Sequence, residues 1–255
     1  MWHGDYFYLI QNLVMKDFRI RYRNMSLGVL WSLLNPLVMM GVMTFVWTKI
    51  FKSDIPHFPL FVLCGMVPYN FFSIAWSGGT TSIVDSAGLI KRLPVPREVV
   101  PVATVLSCSV HLLVQLGLLL AIAIGSHVPM NRYWFWLPVV WGLEIVFVSG
   151  ISMLTSAANV FVRDTRYLVE STNLVMLWLV PVFYDFSIIP QKYKDLYQVN
   201  PLATLVIVMR RIVYEGTPPN GDTNTMWKLV LASFTVFLVG LLVFRRMKPM
   251  FYEHI

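Results

Sequence analysis

Apolar residues along this chain fall into runs of unequal length, and a short periodic one comes first. Tyr6, Leu9, Ile10, Leu13, Val14 and Phe18 recur at three- and four-residue spacing, opposite Gln11, Asn12, Lys16 and Arg19. That period predicts an amphipathic helix whose apolar face is too narrow to cross a bilayer. Lys16, Arg19, Arg21 and Arg23 crowd its end, so it is expected to lie in the interface of the anionic cytoplasmic leaflet. The plain alternative is a surface helix that meets a soluble partner.

Six later runs have the length and apolar content of crossings, each about 20 residues. They fall near 29–48, 58–76, 101–124, 134–158, 167–184 and 226–244. Trp31 and Trp47 sit where interfacial indoles belong in the first, and Gly65, Pro68 and Asn70 interrupt the second, predicting a kinked or protein-packed helix.

Between the second and third, residues 80–92 read as a short helix with hydroxyl caps available at Thr80, Thr81 or Ser82 and a stop at Leu93-Pro94-Val95-Pro96. Before the last run, a polar stretch over 185–199 precedes Asn200-Pro201 and an apolar run over 202–213. Leu202, Leu205, Val206, Met209, Ile212 and Val213 share one face of that run. Its length suits a re-entrant or interfacial helix rather than a crossing. Residues 216–224 form a turn-rich loop. The predicted fold is an all-α integral membrane protein with six transmembrane helices, in one domain over 1–255.

Composition agrees with the pattern: 57% of the 255 residues are hydrophobic and 13% charged, against about a quarter charged in soluble proteins. Mean hydropathy is +0.65. A net charge of +7 could signal nucleic acid, but membrane proteins also keep excess Lys and Arg beside cytoplasmic helix ends. Six crossings divide the 20 Lys and Arg into twelve on one side and eight on the other. The larger set includes Lys16 to Arg23, Lys91, Arg92, Arg97, Arg163, Arg166 and the cluster Arg245, Arg246 and Lys248, which places both termini in the cytoplasm. No signal peptide is recognised, so the first span is expected to be retained. Cys64 and Cys108 fall at opposite depths of neighbouring antiparallel spans, which disfavours a disulfide. No internal repeat supports an inverted-repeat transporter.

The chain carries no Walker A pattern, no metal-ligand cluster and no spaced Ser, His and Asp, so an ATPase or hydrolase role is excluded for it alone. Glu144 and His111 are ionisable groups deep in apolar runs, with Gln115 nearby. Three readings stand for them: a structural hydrogen bond between helices, a pore lining, or proton coupling. Most aromatic residues fit interfacial belts. Tyr69, Phe72, Trp178 and Tyr184 are candidates to line a path for sugars, whose C–H faces stack on aromatic rings.

Several segments in order carry a family likeness: Asp17-Phe18-Arg19-Ile20-Arg21-Tyr22-Arg23 continuing through Leu27-Gly28, Trp31 and Pro36; Gly65-Met66-Val67-Pro68-Tyr69-Asn70-Phe71-Phe72; Leu89-Ile90-Lys91-Arg92-Leu93-Pro94-Val95-Pro96-Arg97; Asn159-Val160-Phe161-Val162-Arg163-Asp164; and Asn200-Pro201. Together they resemble the permease subunits of type-2 ABC exporters, specifically the polysaccharide and polyol-phosphate export family. The 159–164 stretch is more similar to its O-antigen and teichoic-acid branches than to the capsule branch.

The resemblance implies a bacterial inner-membrane homodimer that binds two copies of a cytoplasmic ABC ATPase, with ATP and Mg2+ held by that partner and no cofactor here. The implied substrate is a lipid-linked glycan on undecaprenyl pyrophosphate, with drug or lipid export as the alternative within the superfamily. An ion-coupled transporter and a membrane glycosyltransferase are the rivals outside it. Residues 1–27 would be a cytoplasmic gate helix whose Arg19, Arg21 and Arg23 contact phosphates, unless they only anchor to anionic lipid. Residues 80–97 would carry the coupling helix, with Asp85, Leu89, Lys91, Arg92 and Arg97 facing the ATPase. Residues 185–215 would be an extracytoplasmic re-entrant hairpin.

Overall fold

The computed structural model describes residues 5–23, 28–92, 95–220 and 225–253, which are helical with no strand among them. The ends of the 1–27 segment, the Leu93-Pro94 stop and residues 221–224 of the last loop lie outside the described residues.

Local chemistry sets most helix starts. Helix α1, Tyr6–Tyr22, begins where the Asp5 carboxylate accepts the Phe7 N–H at 2.8 Å. Helix α2, Trp31–Phe45, continues through a wider turn over Val46–Ile50. Helix α3, Phe58–Asp85, opens with Pro59 in its first turn, where the missing N–H is an orphan anyway. Helix α4 is Ala87–Arg92 and α5 is Val99–Gly125. Helix α6, Leu137–Phe161, follows a tight turn over Arg132–Trp136 capped by Asn131. Helices α7, Thr165–Leu179, α8, Gln191–Val199, α9, Pro201–Arg210, and α10, Thr225–Met247, complete the chain.

Two boundaries differ from the sequence reading. The second span does not stop near residue 76, because α3 runs unbroken to Asp85 and only the six residues of α4 form a separate short helix. The hydroxyls expected to cap a new helix bond back into α3 instead: Thr80 Oγ1 donates to the Trp76 carbonyl at 2.8 Å and Ser82 Oγ to that of Gly79 at 2.7 Å.

The run over 167–184 is interrupted as well. Helix α7 ends at Leu179, with Val180 extended at φ −84° and ψ 138°, because the ring of Pro181 disfavours the helical region for the residue before it. Its 15 residues reach about 22 Å, short of a hydrocarbon core of about 30 Å. Among the described residues, five helical stretches are long and apolar enough to cross a membrane: Trp31–Ile50, Phe58–Arg92, Val99–Gly125, Arg132–Phe161 and Thr225–Phe251.

Helix α3 is the axle of the bundle, packed by α2, α5, α6, α7 and α9. Beside it α6 and α10 cross so closely that a Cβ on Gly240 would overlap the Gly150 carbonyl, and one on Gly150 would lie 2.5 Å from Phe237 Cα. Only glycine on both helices permits that approach, a small-residue contact typical of membrane bundles.

At the end where α3 begins, Tyr214 Oη donates to the Pro56 carbonyl at 2.7 Å and Asn131 Nδ2 to that of Ile212 at 2.9 Å. The opposite end gathers α1, α4, the 159–166 loop and the end of α10, so the twelve-cation set shares one end of the bundle.

Candidate functional site

The basic end holds the elements that the sequence marked as a gate and a coupling helix. Helix α1 does not lie free of the bundle. Leu13 is buried with Val99 and Ala103 of α5, Thr104 Oγ1 donates to Asp17 Oδ2 at 3.1 Å, and Arg21 Nη1 reaches Cys108 Sγ at 3.1 Å. The Tyr22 hydroxyl is 2.7 Å from His111 Nε2. The partners ascend together along both helices, so α1 follows the first turns of α5 in the same direction. The apolar stripe read from the sequence is spent largely on α5, while Phe7, Tyr8 and Ile20 stay exposed.

This docking sorts the three arginines. Arg19 and Arg23 are exposed, whereas Arg21 is half-buried and points between α1, α3 and α5. It borders a cleft of about 410 Å³ whose other walls carry Lys16, Asp17, Thr81, Asp85 and Thr104. It also borders a pocket of about 230 Å³ reaching toward Trp31, Asn70, His111 and Gln115. A guanidinium between two cavities, with donors left to spare beyond one thiol, suits an anion presented from the basic end.

Helix α4 is wedged on two sides: Leu89 packs against the α1–α5 contact and Ile90 against the cluster at the ends of α6 and α10. Asp85, Lys91 and Arg92 are exposed. Arg97 departs from the expected set, since its side chain is 5% exposed and Nη1 donates to the Lys248 carbonyl at 2.8 Å. It therefore does not present its charge to a docked ATPase. A further cleft of about 290 Å³ lies between the end of α3 and Asn159, Arg163, Asp164 and Tyr167.

The structure places the two intramembrane ionisable groups in different surroundings. His111 is engaged by Tyr22, and Gln115 Nε2 donates to the Ser32 carbonyl at 3.1 Å. Glu144 is fully buried on α6, and neither carboxyl oxygen has a hydrogen-bond partner among the described residues. Cys64 and Cys108 are buried free thiols.

The aromatic candidates separate by burial. Tyr69 and Phe72 lie inside the chain, Tyr69 Oη donating to the Asn173 carbonyl and Phe72 stacked on Phe147 at 5.9 Å. Trp178 is 60% exposed, and the Tyr184 hydroxyl donates to its carbonyl at 3.0 Å.

Sequence reasoning did not single out Arg210, although an arginine inside an apolar run is the signal to examine. It is 4% exposed. Its guanidinium lies 3.6 Å from the Phe61 ring centroid and donates to the carbonyls of Val182 at 2.6 Å and Tyr184 at 3.0 Å. The turn it holds rests on Gly65, where a Cβ would stand 2.9 Å from the Val182 oxygen. All of Leu202 to Arg210 is buried, not one face of it as the periodicity suggested, because α3, α6 and α10 enclose α9.

Among the described residues no group of three or more His, Cys, Asp or Glu is placed to hold a metal ion.

Comparison with known proteins gives the class. The ABC-2 type transporter family matches residues 8–214, and the chain belongs to that family as a multi-pass membrane component. It is similar over 253 residues, at 30% identity, to the O-antigen export system permease protein RfbA of Myxococcus xanthus, covering 97% of this chain and 95% of that one. A Klebsiella pneumoniae RfbA permease is 27% identical over 251 residues, 98% and 96% of the two chains. The polysialic acid transport protein KpsM of Escherichia coli is 22% identical over 241 residues, 92% of each.

Proposed function

We propose that this chain is the membrane-spanning half of an ATP-driven exporter that moves a lipid-linked polysaccharide out of the bacterial cytoplasm. What carries the reading is full-length similarity to polysaccharide export permeases, joined to a guanidinium, Arg21, between two cavities at the basic end. The O-antigen relatives align at higher identity than the polysialic acid and capsule ones, which supports an O-antigen-like glycan as the substrate, and on this reading its carrier is undecaprenyl pyrophosphate.

Two copies act together, each with one cytoplasmic ATPase. Asp85, Lys91 and Arg92 form the contact, with Leu89 behind them tying α4 to α1. The sixth crossing is α7 extended by the buried run over 180–183, and α8 with α9 forms the outer re-entrant hairpin, with Arg210 tying α9 to the Val182–Tyr184 turn. The pyrophosphate enters beside α1, where Arg21 meets it, while Arg19 and Arg23 gather lipid headgroups. ATP binding biases the dimer because the closed ATPase pair has the higher affinity for it.

The test is a deletion strain complemented with wild type or with Arg21→Gln. Loss of the chain should leave undecaprenyl-linked glycan on the cytoplasmic side and none at the surface, and Arg21→Gln should retain complex assembly while export falls. Normal surface glycan in the deletion strain would sink the proposal.

A further inference from the structure

The segment that follows α10, Lys248–Glu253, folds back on the basic end and is held at two of its residues. At its first residue, the Lys248 carbonyl accepts Arg97 Nη1 at 2.8 Å, and Lys248 Nζ donates to Glu98 Oε2 at 2.8 Å. Three residues on, the Phe251 ring is fully buried. It meets Phe244 of α10 edge-on at 5.3 Å, Phe161 at the end of α6 at 5.8 Å, and the Arg97 guanidinium at 5.9 Å. Ile83 of α3, Ile90 of α4, Val100 of α5 and Val160 of α6 belong to the same cluster.

These contacts join points 150 residues apart in the chain. The last carbonyls of a helix lack partners within it, and here one just past the end of α10 is answered by an arginine from the loop that links α4 to α5. A cation near a helix C-terminus is favourable in its own right. Burial pushes the Glu98 carboxyl up, but the Lys248 hydrogen bond and charge, with Arg245 beyond, outweigh it and hold the group below its ordinary range. The segment is thus fastened by a neutral-acceptor bond, an ion pair and a ring, three contacts of different chemistry.

We propose that Lys248–Phe251 is a transmission clamp, fixing the base of the α4–α5 loop to the ends of α6 and α10 so that a displacement of α4 reaches both helices as one rigid movement. Arg97, Glu98, Lys248 and Phe251 are positioning residues for coupling. The inference rests on the reading that α4 receives the ATPase. A loop joined to the bundle only through its own two ends would absorb a push by bending, and the clamp removes that freedom.

The experiment uses the full permease with its ATPase subunit, in cells where this chain is the sole exporter of its glycan. Glu98→Lys, Lys248→Glu and the double exchange are compared for ATPase co-purification, ATP hydrolysis per complex, and surface glycan relative to lipid-linked glycan kept inside. Each single variant should keep assembly and hydrolysis within about twofold while export per ATP falls about fivefold or more, and the exchange should restore at least about half of it.

A second measurement bridges Glu98→Cys and Lys248→Cys with a short bifunctional maleimide. A clamp that moves as one body exports normally when bridged. Single variants that export like wild type, an exchange that restores nothing, export lost only in proportion to assembled complex, or a bridge that stops export would each overturn the proposal. A wild-type chain that fails to retain any ATPase strikes the reading of α4 instead.

Discussion

Helices α2 and α3 are both apolar enough to cross a membrane, yet 78% of the core stretch of α3 is buried within the chain against 6% of that of α2. The difference lies in shape and polar pairing. Along α3, Gly65 lets the Val182 backbone seat directly on the helix, and Gly79 faces Ser152 at a distance that no Cβ would tolerate. Trp76 and Thr80 share the Thr155 hydroxyl, and Asn173 of α7 donates to Ser77 at 3.1 Å. Gly41 of α2, by contrast, has nothing within 4 Å of where a Cβ would stand. In lipid, oiliness inserts a helix but gives it little reason to prefer protein neighbours over acyl chains. Close backbone approach and interhelical hydrogen bonds supply that preference.

Matched substitutions in the two helices should break the comparison if it is wrong. The largest contrast is Gly65→Leu against Gly41→Leu. The first must displace backbone at Val182, so reversible unfolding in mixed micelles should show a loss of about 3 kcal/mol. The second should stay within roughly 1 kcal/mol of wild type, on the stabilising side, because it replaces glycine in an open helix position. Equal losses would mean that α2 is packed as α3 is.

Next comes Arg210→Met, which takes the cation off the face of Phe61 and orphans the carbonyls of Val182 and Tyr184. Two unsatisfied carbonyls outweigh the relief of desolvating one charge, for a net loss of about 2 kcal/mol. Faster backbone amide exchange confined to 180–184 is the accompanying signature, and unchanged exchange there would refute the assignment.

Smaller still is Thr155→Val, which removes the hydroxyl shared by Trp76 and Thr80 and should cost ~0.6 kcal/mol. Thr44→Val in α2 should cost nothing measurable, because that hydroxyl is buried with no hydrogen-bond partner among the described residues.

The smallest effect expected to be measurable is a pH dependence at Glu98, at the anchored end of the bundle. Its folded pKa is held below the unfolded one, so its contribution is full above the ordinary carboxylate range and is lost as pH falls through the depressed value. The Tm gap between wild type and Glu98→Gln should be widest near neutrality and close on acidification. A gap that widens in acid would reverse the sign of the interaction.

Much of this was legible along the chain. Five of six expected crossings lie where the apolar runs put them, since a run of sufficient length is a local property. The cation bias already grouped the loops that the structure brings to one end. The sixth run is not one continuous helix, because Val180-Pro181 ends α7 inside an apolar stretch, and hydropathy alone is blind to a missing N–H. The Thr80 to Ser82 hydroxyls misled, since a hydroxyl that can cap a new helix can equally bond back into an old one. At the candidate site Arg21 was legible as one of three similar arginines, and only the docking of α1 on α5 singled it out.

The sequence by itself determined that this chain is a helical membrane protein, where its long apolar helices fall, and which loops carry the cations, because those depend on runs of neighbours and on counts. Tertiary structure alone decided that Arg97 caps the end of α10 rather than facing a partner, that Arg210 lies beneath a turn, and that Glu144 and His111 never meet. Each of these is a contact between residues far apart in the chain. Whether a buried charge finds an acceptor is fixed by where another helix happens to end, and no local pattern carries that information.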